Sequence, residues 1–533
     1  RHGVRILCLE GGGLRGQILG EIAKVLEKGS GVRLTDMFDI ICGTGCGGAL
    51  ALLLGSGACT VDSSISTFDK LERAVFAKVR PGATLRKRAA RMAGIPALGR
   101  APYSSSMLSS SLAGILGSRA HLGAGSRVVP TSAIGTQAVR GVPSPPCFAL
   151  AGSLVPRLDP LLLTNYAPGQ RDKPRVDPLL PLSEAVRACF SAPKWTAPGV
   201  GHDGSPLIDG AVYTNNPAEM AVTEANTLYN FPDIDCVVTI GTGLVGSSSS
   251  SNGSRGPVTG DAAFPFDKEV VDLRESCRNV NENMMQVLGD SKYVRLEPTL
   301  PNPTCDTVDE EARLDAIRGA QNWLRSREGK SDLDRATSLL RAKSVYVDGA
   351  GSIRATVGKE ASFVIRGKKG VDGAELKKMR FEVTVKASGS RTKAVPVSVG
   401  RAVHNGGLSV TFTLPTRGAY NVSVVMASEN GQDISGSPFV LLGVTGAEDV
   451  GPTGWPARFA GELAVSSSGS DFPGKRLGGG EFDPDQSDLA NVLDYCEWTR
   501  EKELGLDGSF AKDRHAAATA VLRERLDDLG LRE

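Results

Sequence analysis

The sequence lacks the features that mark several large classes of protein. It has no apolar run of the roughly 18 residues that a membrane-spanning helix needs, and its longest apolar run, Ala49–Leu54, is far shorter. Its ten cysteines are scattered singly, without zinc-ligand spacing or the density of a disulfide scaffold, and its five histidines show no ligand spacing. We therefore expect no membrane-spanning helix, no metal site, no cofactor and a reducing, cytoplasmic compartment.

An excess of charge of one sign is also missing. Lysine and arginine number 61 against 59 aspartate and glutamate residues, which leaves a formal net charge of +2. So small a charge creates no global field for a polyanion, and we expect no nucleic-acid partner. The length of 533 residues exceeds what one hydrophobic core organises and predicts two or three domains.

The pattern of apolar, polar and turn-forming residues changes along the chain. Residues 1–330 alternate β-rich runs with helical patterns, which predicts an α/β domain with a mostly parallel sheet. Residues 343–445 contain short alternating runs between turn signals, as in a β-sandwich. Residues 446–484 are rich in Gly, Pro and Ser and predict an irregular linker, and residues 485–533 carry two helical patterns of a helical tail. In the first domain the predicted strands are Val4–Leu9, Met37–Cys42, Arg127–Ile134, Cys147–Leu150 and Cys236–Ile240.

The segment Ile41–Gly55 has the pattern of a strand end, a tight glycine turn and an apolar helix. A nucleophile elbow has this layout, with the pattern GxSxG and a serine at its apex. Here the frame is Gly43–Gly47, with Gly45 at the apex and Cys46 after it. Three interpretations remain open: a hydrolase without its serine, a hydrolase that uses Cys46, or an ordinary glycine turn.

A second glycine turn, Gly11–Gly16, follows the first predicted strand and precedes a helical pattern. Backbone N–H groups and the helix dipole converge at such a point, which favours an anion. A phosphate loop would need Gly-Lys-Ser/Thr, and the dinucleotide fingerprint does not fit the context. Acyl transfer requires two such turns on adjacent strands, one for the oxyanion and one for the nucleophile. Asp209 ends a predicted strand before two small residues, so it can approach a neighbouring loop as a general base.

These segments together resemble the patatin-like phospholipase family, whose members use a Ser–Asp dyad on a three-layer α/β/α fold. The ordered combination is far more specific than any single match. Glu10–Gly16 matches the family's oxyanion loop DGGGxRG, Gly43–Gly48 matches its elbow GTSTGG, and Ala188–Pro193 matches a helix ending in Ala-Pro. Leu207–Val212 with Asn215–Pro217 matches the DGG/DGA aspartate segment, and Val238–Gly243 matches a strand end before Gly-Thr-Gly.

The resemblance implies roles for individual residues. The backbone amides of Gly11, Gly12 and Gly13 would form the oxyanion hole, with Arg15 beside it. Asp209 would be the acid of the dyad. No metal or cofactor takes part in this chemistry, and the implied substrate is a phospholipid or another acyl-ester lipid.

Gly45 departs from the family pattern, because it occupies the position of the nucleophilic serine. Glycine adopts a positive φ without strain, so the fold should survive, whereas loss of the nucleophile costs on the order of 10⁶ in turnover. Cys46 follows the apex, where the N–H rather than the side chain faces the site, so we expect a packed cysteine there rather than a substitute nucleophile. Asp209 could instead activate water, and a plant subfamily of patatin-related proteins similarly has GxGxG. Two hypotheses remain: a weak, water-mediated lipid acyl hydrolase, or an inactive pseudoenzyme serving as a scaffold.

Two further features suggest partners. The segments Val347–Gly351, Val357–Phe363, Gly418–Val424 and Ile434–Val440 resemble a filamin-type immunoglobulin-like repeat. This resemblance implies a protein partner bound as an extended peptide at a sheet edge, with a rigid spacer as the alternative. The basic segment 78–100 is expected to contact anionic lipid headgroups or to be a solvated helix face. Such contacts would place the protein at the membrane periphery or in a cytoskeletal assembly.

Overall fold

The structure is a computed structural model that falls into two compact units. The first comprises Arg1–Ile353, Ala361–Thr413 and Ala419–Leu441, and the second comprises Arg354–Glu360, Leu414–Gly418 and Leu442–Glu533. The residues that it describes are 3–75, 105–116, 145–153, 159–166, 175–176, 180–192, 198–201, 203–229, 232–245, 273–300, 310–368, 370–388, 394–402 and 406–445. The predicted segments 78–100, 127–134, 446–484 and 485–533 lie outside these residues.

A mixed sheet forms the centre of the first unit. Its strands are β1 Val4–Leu9, β2 Ile40–Thr44, β3 Cys147–Ser153, β4 Asp159–Thr164, β5 Arg175–Val176, β6 Gly199–Val200, β7 Pro206–Asp209, β8 Ile234–Ile240 and β10 Tyr293–Leu296. The short strands β9 Leu244–Val245 and β11 Thr299–Leu300 pair with each other in a separate sheet. Strands β10, β8, β1, β2 and β3 are parallel in that order. Strands β4 and β7 pair with β3 in the antiparallel direction. The carboxyl ends of β1 and β2 therefore lie side by side.

Helices cover both faces of this sheet. They are α1 Gly16–Ser30, α2 Leu34–Met37, α3 Cys46–Gly55, α4 Val61–Val75, α5 Ser105–Leu116, α6 Leu182–Cys189, α7 Ala218–Tyr229, α8 Leu273–Leu288, α9 Glu310–Arg325 and α10 Arg327–Lys343. One apolar core packs side chains of α1, α3, α6 and α10 against the sheet. A second core packs α7 and α8 on the other face. This three-layer α/β/α arrangement confirms the predicted fold class.

Most of the predicted strands are present, with small shifts at their ends. The predicted strand Met37–Cys42 was wrong at its start, because Met37 belongs to the helical turn α2. The N–H groups of Asp36 and Met37 both donate to Arg33 O, so the chain turns before it extends. Strand β2 begins only at Ile40.

The remaining strands form the filamin-like sandwich; most of their residues belong to the first unit, whereas β13 and the end of β20 belong to the second. Strand β12 Val345–Asp348 is followed by β13 Arg354–Thr356, β14 Glu360–Gly367, the short helix α11 Gly373–Leu376, β15 Phe381–Ala387, β16 Val397–Ala402, β17 Leu408–Thr413, β18 Gly418–Met426, β19 Gln432–Asp433 and β20 Phe439–Val444. Strands β12, β14, β17 and β16 form one sheet, and β15, β18 and β19 belong to another. Phe363 packs between Phe412 and Phe439, with ring centroids 5.9 Å apart in both pairs.

The described part of the second unit is small. Strand β13 pairs in parallel with the end of β20, from Arg354 opposite Leu442 to Thr356 opposite Val444. Val357 N–H continues this pairing by donating to Val444 O.

No helix among the described residues combines the length and the apolar character needed to cross a bilayer. The same residues contain no group of three or more His, Cys, Asp or Glu side chains arranged to hold a metal ion. All eight cysteines in the described ranges are free thiols.

Candidate active site

The segment around Gly45 folds as a strand, a sharp turn and a helix. Strand β2 ends at Thr44, and α3 begins at Cys46 with Gly45 as its N-cap residue. Gly45 has φ 56° and ψ −130°, a conformation that a residue with a side chain adopts only under strain. Helix α3 is buried along its whole length, so the elbow is held between the sheet and the surrounding helices.

Glycines on either side of the apex allow the elbow to pack tightly. A Cβ on Gly43 would overlap Gly47 O, and a Cβ on Gly47 would overlap Leu9 O. A Cβ on Gly48 would lie 3.0 Å from Ala149 Cβ. The helix thus crosses β1 and β3 at a distance that only glycine permits, which explains the glycine pattern of the sequence.

The glycine loop follows β1 directly beside this elbow, because Leu9 is paired with Gly43. Gly13 has φ 58° and opens a 3₁₀ turn, Gly13–Arg15, that leads into α1. A Cβ on Gly12 would overlap the Thr242 side chain, so only glycine fits at this point. The backbone of the loop therefore approaches its neighbours as closely as an anion-binding turn requires.

Three side chains fix the loop, two from outside it and Arg15 from within it. Asn215 Nδ2 and Thr242 Oγ1 both donate to Gly11 O, at 3.0 and 2.9 Å. Arg15 donates through Nη1 to Gly243 O at 2.9 Å and through Nε to Gly12 O at 3.4 Å. Arg15 thus ties the loop to the end of β8, while its guanidinium stays beside the loop.

Asp209 ends β7 and faces the apex of the elbow. A Cβ built on Gly45 would lie 3.2 Å from Asp209 Oδ2 and 3.4 Å from Gly11 Cα. The structure thus brings together Gly45, Asp209 and the first residue of the glycine loop. Asp209 Oδ1 accepts a hydrogen bond from Ala211 N at 2.9 Å, which orients the carboxylate.

Burial changes the acidity of this carboxyl. Asp209 is only 8% exposed, and its pKa rises from 3.8 to about 7 because burial penalises the charged form. The N–H groups of Ala211 and Gly45 act in the opposite direction by stabilising the carboxylate. A carboxyl group with a pKa near 7 exchanges protons at neutral pH, as a general base must.

Cys46 lies on the buried side of the elbow. Its side chain is 1% exposed, and a Cβ on Gly16 would be 3.2 Å from Cys46 Cβ. The thiol therefore packs near the start of α1. This placement supports a packing role for Cys46.

An ion network that no sequence motif predicts lies behind the glycine loop. Arg295 Nη2 donates to Glu10 Oε2 at 2.8 Å and to Glu297 Oε2 at 2.5 Å. Glu297 also accepts from Gly243 N at 2.5 Å, so it holds the turn that Arg15 contacts. Burial raises the pKa of Glu10 and raises that of Glu297 to about 7. The only sequence signal was the pair of charged residues at the end of a short apolar strand.

Comparison with known proteins identifies the families whose models match this chain. The family model described as patatin-like phospholipase matches residues 7–222, which include the glycine loop, the elbow and Asp209. This chain carries a patatin-like phospholipase domain. A second family model, the filamin/ABP280 repeat, matches residues 340–440.

Two curated relatives are similar to this chain over more than half of its length. Phospholipase A I of Arabidopsis thaliana is 26% identical over 340 residues, which cover 56% of this chain and 25% of that protein. The human calcium-independent phospholipase A2-gamma is 27% identical over 323 residues, 59% of this chain and 37% of that protein. The chain thus matches well under half the length of either relative. A solved structure, the Lin-41 filamin domain, is 18% identical with a TM-score of 0.17, covering 20% of this chain and 96% of that domain.

Proposed function

We propose that the patatin-like domain is a lipid acyl hydrolase in which Asp209 activates a water molecule. The position of the Asp209 carboxylate supports this proposal, because its Oδ2 lies 3.2 Å from the position that a Cβ on Gly45 would occupy. Because Gly45 has no side chain, the space that a serine hydroxyl would use is open to a small nucleophile.

The reaction uses two groups that border that space, Asp209 and the glycine loop. Asp209, with its pKa near 7, accepts the proton of the water as the oxygen attacks the ester carbonyl. The backbone N–H groups of Gly12 and Gly13 stabilise the oxyanion, since the Gly11 N–H already donates to Asn215 O at 3.4 Å, and Arg15 adds positive charge beside it. As the tetrahedral intermediate collapses, the ester C–O bond breaks and Asp209 returns its proton to the leaving alkoxide, so the alcohol and the fatty acid leave without a covalent enzyme intermediate. We expect slow turnover, because water is a weaker nucleophile than an activated serine.

The substrate class is inferred from the relatives. The matched proteins are named as phospholipases, and we propose phospholipids or related acyl esters for this chain. We place contact with the lipid surface at the basic segment 78–100, and a protein partner at the filamin repeat. Neither contact requires a helix that crosses the membrane.

A pseudoenzyme is the second candidate, and a specific observation favours it. Asp209 is held by Ala211 N and Gly45 N–H, so its carboxylate already has partners inside the elbow. In this alternative the domain is a scaffold, and the filamin repeat recruits the partner. The glycine loop and Asp209 are then retained for the stability of the fold.

Hydrolysis by four proteins distinguishes these candidates. Phospholipid vesicles and a short-chain ester are offered to the wild-type chain, Asp209→Asn, Cys46→Ala and Gly45→Ser. We expect weak wild-type activity that increases with pH through about 7, is lost in Asp209→Asn and is unchanged in Cys46→Ala. If the wild type is inactive and Gly45→Ser is active, the site is intact except for its missing nucleophile. That result would contradict the water mechanism.

A further inference from the structure

The turn that follows β8, residues 241–243, connects the glycine loop to two charged side chains at the end of β10. Thr242 Oγ1 donates to Gly11 O at 2.9 Å, near the start of the loop. Arg15 Nη1 donates to Gly243 O at 2.9 Å, near the end of the loop. The glycine loop is therefore fixed to this turn at two points.

Glu297 binds the same turn through its backbone. Its Oε1 accepts a hydrogen bond from Gly243 N at 2.5 Å, and a Cβ on Gly241 would overlap its Oε2. The carboxylate of Glu297 thus lies directly against the turn. Gly243 has its N–H bound to Glu297 and its C=O bound to Arg15. Because both polar groups of one residue are engaged, a shift of Gly243 away from Glu297 also displaces the partner of Arg15.

Arg295 holds Glu297 in place. Its Nη2 donates to Glu297 Oε2 at 2.5 Å and to Glu10 Oε2 at 2.8 Å. The side chains of Arg295 and Glu297 are only 12% and 11% exposed, and hydrogen bonds between charged groups are stronger where water has little access. One guanidinium therefore fixes two carboxylates, one just before the glycine loop and one at the turn that holds it.

We propose that Glu297 is a positioning residue, which sets the place of the glycine loop and of Arg15 through its hydrogen bond to Gly243 N. Its effect on rate rests on the proposed function. Oxyanion stabilisation needs donors at hydrogen-bond distance from the developing charge, and a displacement of about 1 Å can cost on the order of 10²-fold in rate. The charge develops only in the transition state, so a displaced loop should lower kcat and leave KM nearly unchanged.

Two substitutions of Glu297 in the whole chain test this role. Glu297→Ala removes the acceptor for Gly243 N, whereas Glu297→Gln keeps an oxygen that can accept the same bond. With a short-chain ester we expect kcat of Glu297→Ala to fall about ten- to hundredfold, with KM nearly unchanged, and kcat of Glu297→Gln to stay within about threefold of the wild type. Equal kcat values in all three proteins, equal losses in the two variants, or a change in KM alone would overturn the role of the Gly243 bond.

Glu27→Ala is the matched control for loss of a carboxylate that accepts from a backbone N–H. Glu27 Oε2 accepts from Leu34 N at 3.0 Å, near the end of α1 that lies away from the glycine loop. This variant should leave kcat unchanged. An equal loss of kcat in Glu27→Ala and Glu297→Ala would show a general effect of destabilisation and contradict a specific role of Glu297.

Hydrogen exchange separates failure of this role from failure of the proposed function. Arg15 N–H donates to Gly12 O at 3.1 Å, so its exchange rate reports the order of the loop whether or not lipid is hydrolysed. We expect this N–H to exchange about tenfold faster or more in Glu297→Ala, and to keep its wild-type rate in Glu27→Ala. Faster exchange in a chain without any hydrolysis would contradict the proposed function and support the hold of Glu297 on the loop. An unchanged rate in Glu297→Ala would overturn the positioning role.

Discussion

At the scale of single residues, the buried carboxyl of Asp209 makes stability depend on pH. Its pKa is about 7 in the folded chain against 3.8 for an unperturbed group, so between these values the folded state binds a proton that the unfolded state has released. The free energy of unfolding therefore falls as pH rises from about 4 to 7, by a few kcal/mol at most. Above pH 7 both states are ionised and the dependence ends.

The variant Asp209→Asn isolates this effect. Glu10 and Glu297 also have raised pKa values and contribute in the same direction, so only the difference between wild type and variant reports Asp209. Denaturant unfolding at a series of pH values should show the wild type losing stability relative to Asp209→Asn between pH 4 and 7. Parallel curves would mean that Asp209 is not buried as a titrating carboxyl group.

The conformation of Gly45 gives a second prediction at this scale. Gly45→Ala should destabilise the chain by about 1–3 kcal/mol, because a side chain is strained at φ 56° and its Cβ would press on Asp209. Gly57→Ala is the matched control, because Gly57 has φ 71° and nothing within 4 Å of the added Cβ. Denaturant unfolding should show a larger loss of unfolding free energy for Gly45→Ala than for Gly57→Ala. Equal losses in the two variants would show that the Asp209 carboxylate does not crowd the apex.

At the scale of elements, the crossing of α3 over β1 depends on Gly47. Its Cβ would overlap Leu9 O, a backbone atom that cannot move without displacing the strand. We expect Gly47→Ala to destabilise the chain by about 3 kcal/mol or more. Gly114 in α5 is also helical but has nothing within 4 Å, so Gly114→Ala should stabilise by about 0.5–1 kcal/mol. Thermal unfolding compares the two variants, and a tolerated Gly47→Ala would contradict this packing of the elbow.

The elements around the site were predictable because their patterns are local. Strand β1, the turn at Gly45 and helix α3 each show apolar runs and glycines that specify them without the rest of the chain. The partners of the glycine loop were not predictable. Thr242, just after β8, donates to Gly11 O, and Arg295 on β10 donates to Glu10, although both are more than 200 residues away in sequence. Only the parallel pairing of β10, β8 and β1 brings them there, and no local pattern encodes that pairing.

At the scale of the whole molecule, a buried ion pair joins the patatin-like domain to the filamin repeat within the first compact unit. Lys368 Nζ lies 2.7 Å from Asp235 Oδ2, and the two side chains are 7% and 5% exposed. Ser435 Oγ donates to the same Asp235 oxygen at 2.5 Å, and Lys368 also donates to Gly3 O at 2.9 Å. Strands β1 and β8 begin at this cluster and end at the glycine loop, so the repeat contacts the far end of the strands that carry the site.

This cluster predicts that the patatin-like domain and the repeat unfold together. Lys368→Met leaves Asp235 charged and buried without its cation, which should cost about 3–5 kcal/mol, whereas adding Asp235→Leu removes both charges and should recover much of the loss. Arg366→Met, near the end of β14 and two residues before Lys368, is the matched control, because the Arg366–Asp348 pair is 28% and 51% exposed and should contribute under about 1 kcal/mol. Hydrogen exchange should show Lys368→Met lowering protection in both β1 and β14, while Arg366→Met lowers neither. If Lys368→Met lowers protection only in β14, the repeat folds independently of the patatin-like domain and is a separate module joined to it.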